Sequence, residues 1–274
     1  MAVIGIDGLP MAYELTGTGD PLVLVAGTGY AGATWPPALV ERLAARHRVV
    51  TFDHRGTGST PSTPEPYSTR GFAADATGLM DALGLGAAHV VGHSMGGRVA
   101  QWMALDRPDR VRSLVLAATG PGEWREDRPV TRGIPLHTAE AMIDLGYERY
   151  MREHIAATFF TPEFVAAEPA TVAWLVDAFW ASRPSLRDYL RHVVARQEHQ
   201  TAARLAELTM PALVLIGDRD VHRGGTGVHW EQSAYLADHL PDVERHVIPD
   251  TSHGYFWQVP DLAADIVLDW TARH

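Results

Sequence analysis

Residues 89–100 read His-Val-Val-Gly-His-Ser-Met-Gly-Gly-Arg-Val-Ala. An apolar run ends in Gly92-His93-Ser94-Met95-Gly96, and an apolar helical pattern begins at once. A strand that turns into a helix over so few residues is tightly constrained. The central residue is forced into a strained backbone conformation, and Gly92 and Gly96 leave room for strand and helix to approach. Ser94 then stands at the tip of the turn, hydroxyl outward, above the positive end of the helix dipole. The backbone N–H of Met95 points to where an oxyanion would form on a carbonyl attacked by Ser94. A Gly-rich turn with an idle surface serine has the same letters. The strand before it and the helix after it favour the nucleophile.

A serine hydroxyl is a weak nucleophile at neutral pH and needs a base held by an orienting group. Residues 211–217 read as a buried strand and are followed by Asp218-Arg219-Asp220. Residues 244–249 read as another strand, followed by Asp250-Thr251-Ser252-His253-Gly254. An acid and a histidine thus each lie just past a strand end, in the chain order Ser, Asp, His. With 14 histidines in the chain, position rather than residue type singles out His253.

These motifs resemble the α/β-hydrolase family, and the resemblance covers nearly the whole chain. Residues 22–29, Leu-Val-Leu-Val-Ala-Gly-Thr-Gly, are similar to its oxyanion strand and loop. Residues 53–59, Asp-His-Arg-Gly-Thr-Gly-Ser, are similar to its D-x-R-G-x-G-x-S turn. Gly217-Asp218-Arg219-Asp220 matches its G-x-x-D motif, which favours Asp220 over Asp218 as the acid. The resemblance implies a Ser94-His253-Asp220 triad and an oxyanion hole from the amides of Thr28 and Met95. One departure stands out: many members carry His-Gly in the oxyanion loop, where this chain has Ala26-Gly27. The donor is a backbone N–H, so the hole survives the change.

Composition agrees with an enzyme acting on small molecules. At 274 residues and 46% hydrophobic content, the chain can bury a large core. A net charge of −10 argues against a nucleic-acid partner. No cysteine is present, which excludes thiol catalysis and disulfides, and all 23 basic residues are arginine, which excludes lysine Schiff bases. No apolar run is long enough to span a membrane and no secretory signal is evident, so a cytoplasmic monomer or homo-oligomer is expected.

Strand and helix patterns alternate, which predicts an α/β fold: a mostly parallel eight-stranded sheet with helices on both faces. Strands fall near 2–6, 10–16, 22–26, 49–53, 88–92, 113–118, 211–217 and 244–248. Residues 121–208 break the alternation with helical patterns at 138–145, 147–159, 162–181, 184–198 and 201–207. This reads as an all-helical cap inserted between two parts of the core, 1–120 and 209–274. Its large apolar residues imply a mostly apolar pocket under a lid. Gly29, Tyr30, Trp124, Phe159, Trp180, Val221 and Tyr255 are the candidate substrate-binding residues, with Trp35, Met95, Phe256 and Trp257 also near the catalytic edge. A preference for anionic substrates would instead require an arginine such as Arg125, Arg223 or one in the cap.

Other features take plainer readings. His222 and His229 with Asp218 have no spacing that fixes a metal, and the Gly-rich run after Asp220 reads as a loop beside the pocket. Asp53 and Arg55 are expected to hold their turn by a local ion pair, and His93 to pack behind the site. The reaction expected is hydrolysis of an ester or lactone, with neither cofactor nor metal. Rivals on the same scaffold are carbon–carbon hydrolysis of a ring-cleavage dione and cofactor-free perhydrolase or haloperoxidase chemistry. A ligand-binding receptor is the rival of another class, and an intact triad weighs against it.

Overall fold

The computed structural model describes residues 1–124, 132–220 and 228–274. Val221, His222, Arg125 and Arg223 lie outside the described residues. Eight strands form one sheet: β1 (Ala2–Ile6), β2 (Leu9–Thr16), β3 (Asp20–Val25), β4 (His47–Phe52), β5 (Ala88–His93), β6 (Val111–Ala117), β7 (Ala212–Gly217) and β8 (Val243–Ile248). Their spatial order is β1-β2-β4-β3-β5-β6-β7-β8. The opening hairpin pairs antiparallel, as does β2 with β4, and every later pair is parallel. The mostly parallel sheet follows the alternation read in the sequence.

Side chains along the central strands alternate between two cores. Leu22, Leu24, Val91 and Val115 face a layer with α1 (Pro37–Ala44), whose Leu39 and Leu43 are buried. Val23, Val25, Val90 and Leu114 face the opposite layer with α2 (Thr69–Ala82) and α3 (Met95–Asp106). The strands are therefore apolar on both faces, as expected for a parallel sheet covered by helices.

Among the described residues, five α-helices stand between β6 and β7: α4 (Leu136–Leu145), α5 (Tyr147–Phe159), α6 (Pro162–Ala167), α7 (Pro169–Ala181) and α8 (Leu186–Gln197). The single helix expected over 162–181 is two, because Pro169 lacks an N–H and opens a new helix at its first turn. Residues 202–207 form a 3-10 turn rather than an α-helix. The chain ends with α9 (His229–His239), the short α10 (Tyr255–Gln258) and α11 (Pro260–Thr271). α11 lies against α1, and its Ala263, Ala264, Val267 and Trp270 complete the first core.

The topology itself places the site. From β3 the chain steps one way to β4, then crosses to the other side of β3 to form β5. Loops leaving two such strands diverge and open a crevice at their carboxyl ends. Thr28 follows β3 and Ser94 follows β5, so both lie at that crevice.

Candidate active site

Ser94 sits between β5 and α3 with φ 57° and ψ −119°. This left-handed strain is what the tight turn demands of a non-glycine residue. The close approach explains the glycines: a Cβ on Gly92 would overlap Gly96, and one on Gly96 would overlap the carbonyl of Val25. The turn is fastened by Ser94 N–H donating to the Ala117 carbonyl at 2.8 Å and the Thr119 hydroxyl donating to the Ser94 carbonyl at 2.7 Å. Met95 is the first residue of α3, so its N–H has no acceptor within the helix. The oxyanion loop is held from above: Gly29 N–H donates to Nδ1 of His192 on α8 at 3.4 Å, and His192 Nε2 donates to the Arg55 carbonyl at 3.0 Å.

Asp220 follows β7 and is wholly buried, and His253 follows β8 and is 2% exposed. His253 Nδ1 donates to Asp220 Oδ2 at 2.9 Å. That contact fixes which imidazole nitrogen is left as the base, namely Nε2. Asp218, two residues earlier, is exposed and accepts from Thr251 N–H at 3.3 Å. The carboxylate directed at His253 is therefore that of Asp220. Burial alone would raise the Asp220 carboxyl, but the fields and hydrogen bonds of His253 and His229 outweigh it and hold it well below the usual carboxylate range.

His229 is the residue that sequence reasoning missed at this centre. It is 3% exposed, its Nδ1 lies 3.5 Å from Asp220 Oδ1, and its ring stacks on His253 at 4.6 Å. Burial pushes it down to about 4, against the pull of Asp220, so it is neutral at pH 7. The sequence places it in the Gly-rich loop after Asp220, and nothing there brought it to the Asp220 carboxylate. Asp220, His229 and His253 offer ligand atoms within 4.8 Å of one another, a donor set that a zinc ion accepts. Asp220 and the two rings already face one another there. His93, fully buried, donates from Nε2 to the His253 carbonyl at 2.9 Å and so steadies the loop that carries the base.

Ser94 and His253 face one narrow cavity together with Thr28, Tyr30 and His229. Met151, His154, Ile155, Thr158 and Phe159 of α5 and Tyr189 and Arg196 of α8 close it from the inserted helices. The cavity is small, with a volume of about 20 Å³. Among the described residues no hydrogen bond joins Ser94 to His253, a looseness common before substrate binds.

The other expected lining residues are placed as follows. Gly29 turns the oxyanion loop at φ 73°, packed close to Tyr189, and Tyr30 and Phe159 line the cavity. Trp124 packs at a tilt against Tyr235 beside a separate open hollow. Trp180, half-buried, packs on Tyr147 under the guanidinium of Arg183, 3.9 Å from its ring, and does not line the cavity. Tyr255 is buried in the core, its hydroxyl donating to the Leu215 carbonyl at 3.0 Å. Trp35, Phe256 and Trp257 pack against one another and around His93, and Met95 points into the core behind the turn. The Asp53–Arg55 ion pair does not form. Asp53 accepts from Gly32 N–H and Ser59 N–H at 2.7 and 2.8 Å, whereas Arg55 reaches Asp75 on α2 at 2.5 Å.

A parallel sheet with a strained serine after β5, an acid after β7 and a histidine after β8 defines the α/β-hydrolase architecture. The family description "alpha/beta hydrolase fold" matches residues 20–260, and the chain belongs to this family. It is 31% identical over 269 residues to a provisionally named carbamate hydrolase, RutD, of Variovorax paradoxus, covering 97% of each chain. The structure of the provisionally named non-heme bromoperoxidase BpoC of Mycobacterium tuberculosis superposes with a TM-score of 0.78 at 29% identity, over 96% of each chain. An enol-lactonase from Burkholderia xenovorans superposes with a TM-score of 0.85 over 98% of this chain and 99% of that one. At 21% identity that likeness speaks for the fold alone. Among the described residues no helix is long and apolar enough to cross a membrane.

Proposed function

We propose that the protein is a serine hydrolase that cleaves esters or lactones of small molecules through an acyl-enzyme on Ser94. The observation that carries this reading is the strained Ser94 beside His253, itself held by a buried Asp220. His253 Nε2 takes the Ser94 proton as Oγ attacks the carbonyl. The imidazolium that forms is stabilised by Asp220, which stays ionised because two histidines face it. The amides of Thr28 and Met95 receive the oxyanion, each contributing about 3 kcal/mol to the transition state. His253 then returns the proton to the leaving alkoxide, and water repeats the sequence to free the acid.

The helices of 121–208 act in this reading as a cap whose α5 and α8 form the roof over Ser94. The small free volume implies a short substrate, or one admitted by movement of side chains in the roof. The likeness over full length to a protein named for carbamate hydrolysis supports a second reading, since a carbamate presents the same carbonyl to Ser94. The test is a panel of p-nitrophenyl esters, lactones and carbamates with the wild type and Ser94→Ala. A burst of p-nitrophenol in the wild type, with a loss of about 1000-fold or more in the variant, supports the proposal. Equal rates in the two proteins would overturn it.

A further inference from the structure

Arg196, in the last turn of α8, lines the cavity of Ser94. Its Nε is buried and has no hydrogen-bond partner. None of the ion pairs among the described residues includes it. Among the described residues, the other walls of the cavity are apolar, hydroxylic or imidazole: Tyr30, Tyr189, Met151, Ile155 and Phe159, with Thr28 and Thr158, and His154. Among the described residues, the carboxylate beside the catalytic group is that of Asp220, and it faces His253 and His229 instead. Behind Arg196 stands a second arginine. Arg98 is 1% exposed and donates from Nη1 to the Arg196 carbonyl at 2.6 Å and from Nη2 to Gln232 Oε1 at 3.2 Å. Burial and the Arg196 charge together push Arg98 down to about 9. His154, on the opposite wall, is held neutral, down to about 4, by burial and by the same Arg196 charge.

A cation in a narrow, partly dry site is costly unless an anion meets it. Among the described residues the protein supplies a cation, a second cation behind it and no counter-ion at the cavity. Two polar atoms of the cavity, Arg196 Nε and Thr28 Oγ1, are buried without a partner. We propose that Arg196 is the anchor for a carboxylate on the substrate, so that the preferred substrates are short esters or lactones carrying a free carboxylate remote from the scissile carbonyl. The anchor rests on the serine-hydrolase reading for its reaction but not for its binding. A planar guanidinium receives a carboxylate through two parallel N–H donors, which fixes the orientation of the substrate as well as its charge. This replaces the uniformly apolar pocket expected from the aromatic residues of the inserted segment.

The experiment compares p-nitrophenyl hemisuccinate, hemiglutarate and hemiadipate with the neutral p-nitrophenyl esters of equal chain length, in wild type, Arg196→Gln and Arg196→Lys. The wild type should prefer at least one hemi-ester over its neutral counterpart in kcat/KM. That preference ratio should fall about 100-fold in Arg196→Gln and partly return in Arg196→Lys. A neutral preference at every length, or an equal loss in both series, would overturn the anchor. Calorimetric binding of glutarate and of butyrate reads the anchor without turnover. Glutarate should bind the wild type more tightly than butyrate does, and Arg196→Gln should abolish the difference. Failure of all esters with this binding intact would refute the proposed reaction and leave the anchor standing. Turnover of neutral esters with no such binding would do the reverse.

Discussion

Two buried histidines make the fold acid-sensitive in a way that can be calculated. His54 and His192 are fully buried with ring centroids 6.2 Å apart, one in the turn after β4 and the other on α8. Burial pushes His54 down to about 3, helped by the charge His192 would carry, and pushes His192 down to about 4. Both are neutral in the folded protein at pH 7. In the unfolded chain a histidine titrates near 6.5. Below that pH the unfolded state therefore binds the extra protons, and stability falls as pH falls. The loss begins near pH 6.5 and continues until the folded rings themselves protonate, near pH 4 for His192. Between pH 7 and pH 5 each ring forfeits about 2 kcal/mol, and the pair about 4 kcal/mol. That is a large part of the about 5–15 kcal/mol that holds a typical domain folded.

The informative perturbation is His192→Gln. A glutamine amide can still donate to the Arg55 carbonyl and accept from Gly29 N–H, the two contacts His192 makes, but it does not titrate. Denaturant unfolding at pH 7, 6 and 5 reads the result. The variant should lose some stability at pH 7 through imperfect fit. Its further loss on going to pH 5 should be smaller than that of the wild type by about 2 kcal/mol. Asp53 and Asp75, whose carboxyls burial raises, are common to both proteins and cancel in this difference. Parallel pH profiles for the two proteins would refute the reasoning and show that His192 is already protonated, or already solvated, in the folded state.

Asp220→Asn should lower kcat/KM about 1000-fold or more, and Asp218→Asn less than about threefold, because only Asp220 reaches His253. The reverse ranking in ester kinetics would move the role to Asp218. Gly96→Ala should destabilise by about 3 kcal/mol, since the added Cβ meets the backbone carbonyl of Val25 rather than a movable side chain. An unchanged melting temperature would contradict the close approach. Trp180→Ala should leave the acyl-chain profile unaltered, because its ring lies against Tyr147 and Arg183 outside the cavity. A shifted chain-length optimum would place it in the site. A chelator should leave the rate unchanged. Lost activity restored by zinc would reassign Asp220, His229 and His253 to a metal.

What the sequence made legible was local or repeated along a strand. Gly92 and Gly96 announced the turn because only a residue without Cβ fits there. Asp220 and His253 were legible because each follows a buried apolar strand, and parallel strands bring their carboxyl ends to one edge. Pro169 carried a readable signal that the long pattern over 162–181 obscured: a proline within a helical run ends the helix before it. Arg55 was harder. Its partner, Asp75, is twenty positions away on α2, whereas Asp53 is two away and points to backbone amides instead. His229 was legible only as a histidine of the loop after Asp220, and Arg196 only as one of the cap arginines, neither with its place in the site. One rotation of α8 or α9 by a third of a turn would send either side chain elsewhere, and helical periodicity marks the buried face without saying what it meets.

The same distinction divides chemistry from substrate choice along the chain. Val25 pairs with Gly92 in the β3–β5 register, and His93 with Ala117 in the β5–β6 register. Those pairings set where Thr28 and Met95 stand relative to Ser94, so the sheet fixes the geometry of attack before any substrate is considered. The residues that would read a substrate, from Met151 to Phe159 and at Tyr189 and Arg196, belong to α5 and α8, outside the sheet. A substitution on α5 or α8 can therefore change the bound group while the triad is untouched. This accounts for a fold shared with proteins named as carbamate hydrolase, bromoperoxidase and enol-lactonase. It also locates the decisive measurement on Arg196, because among the described residues lining the cavity it alone carries a fixed positive charge.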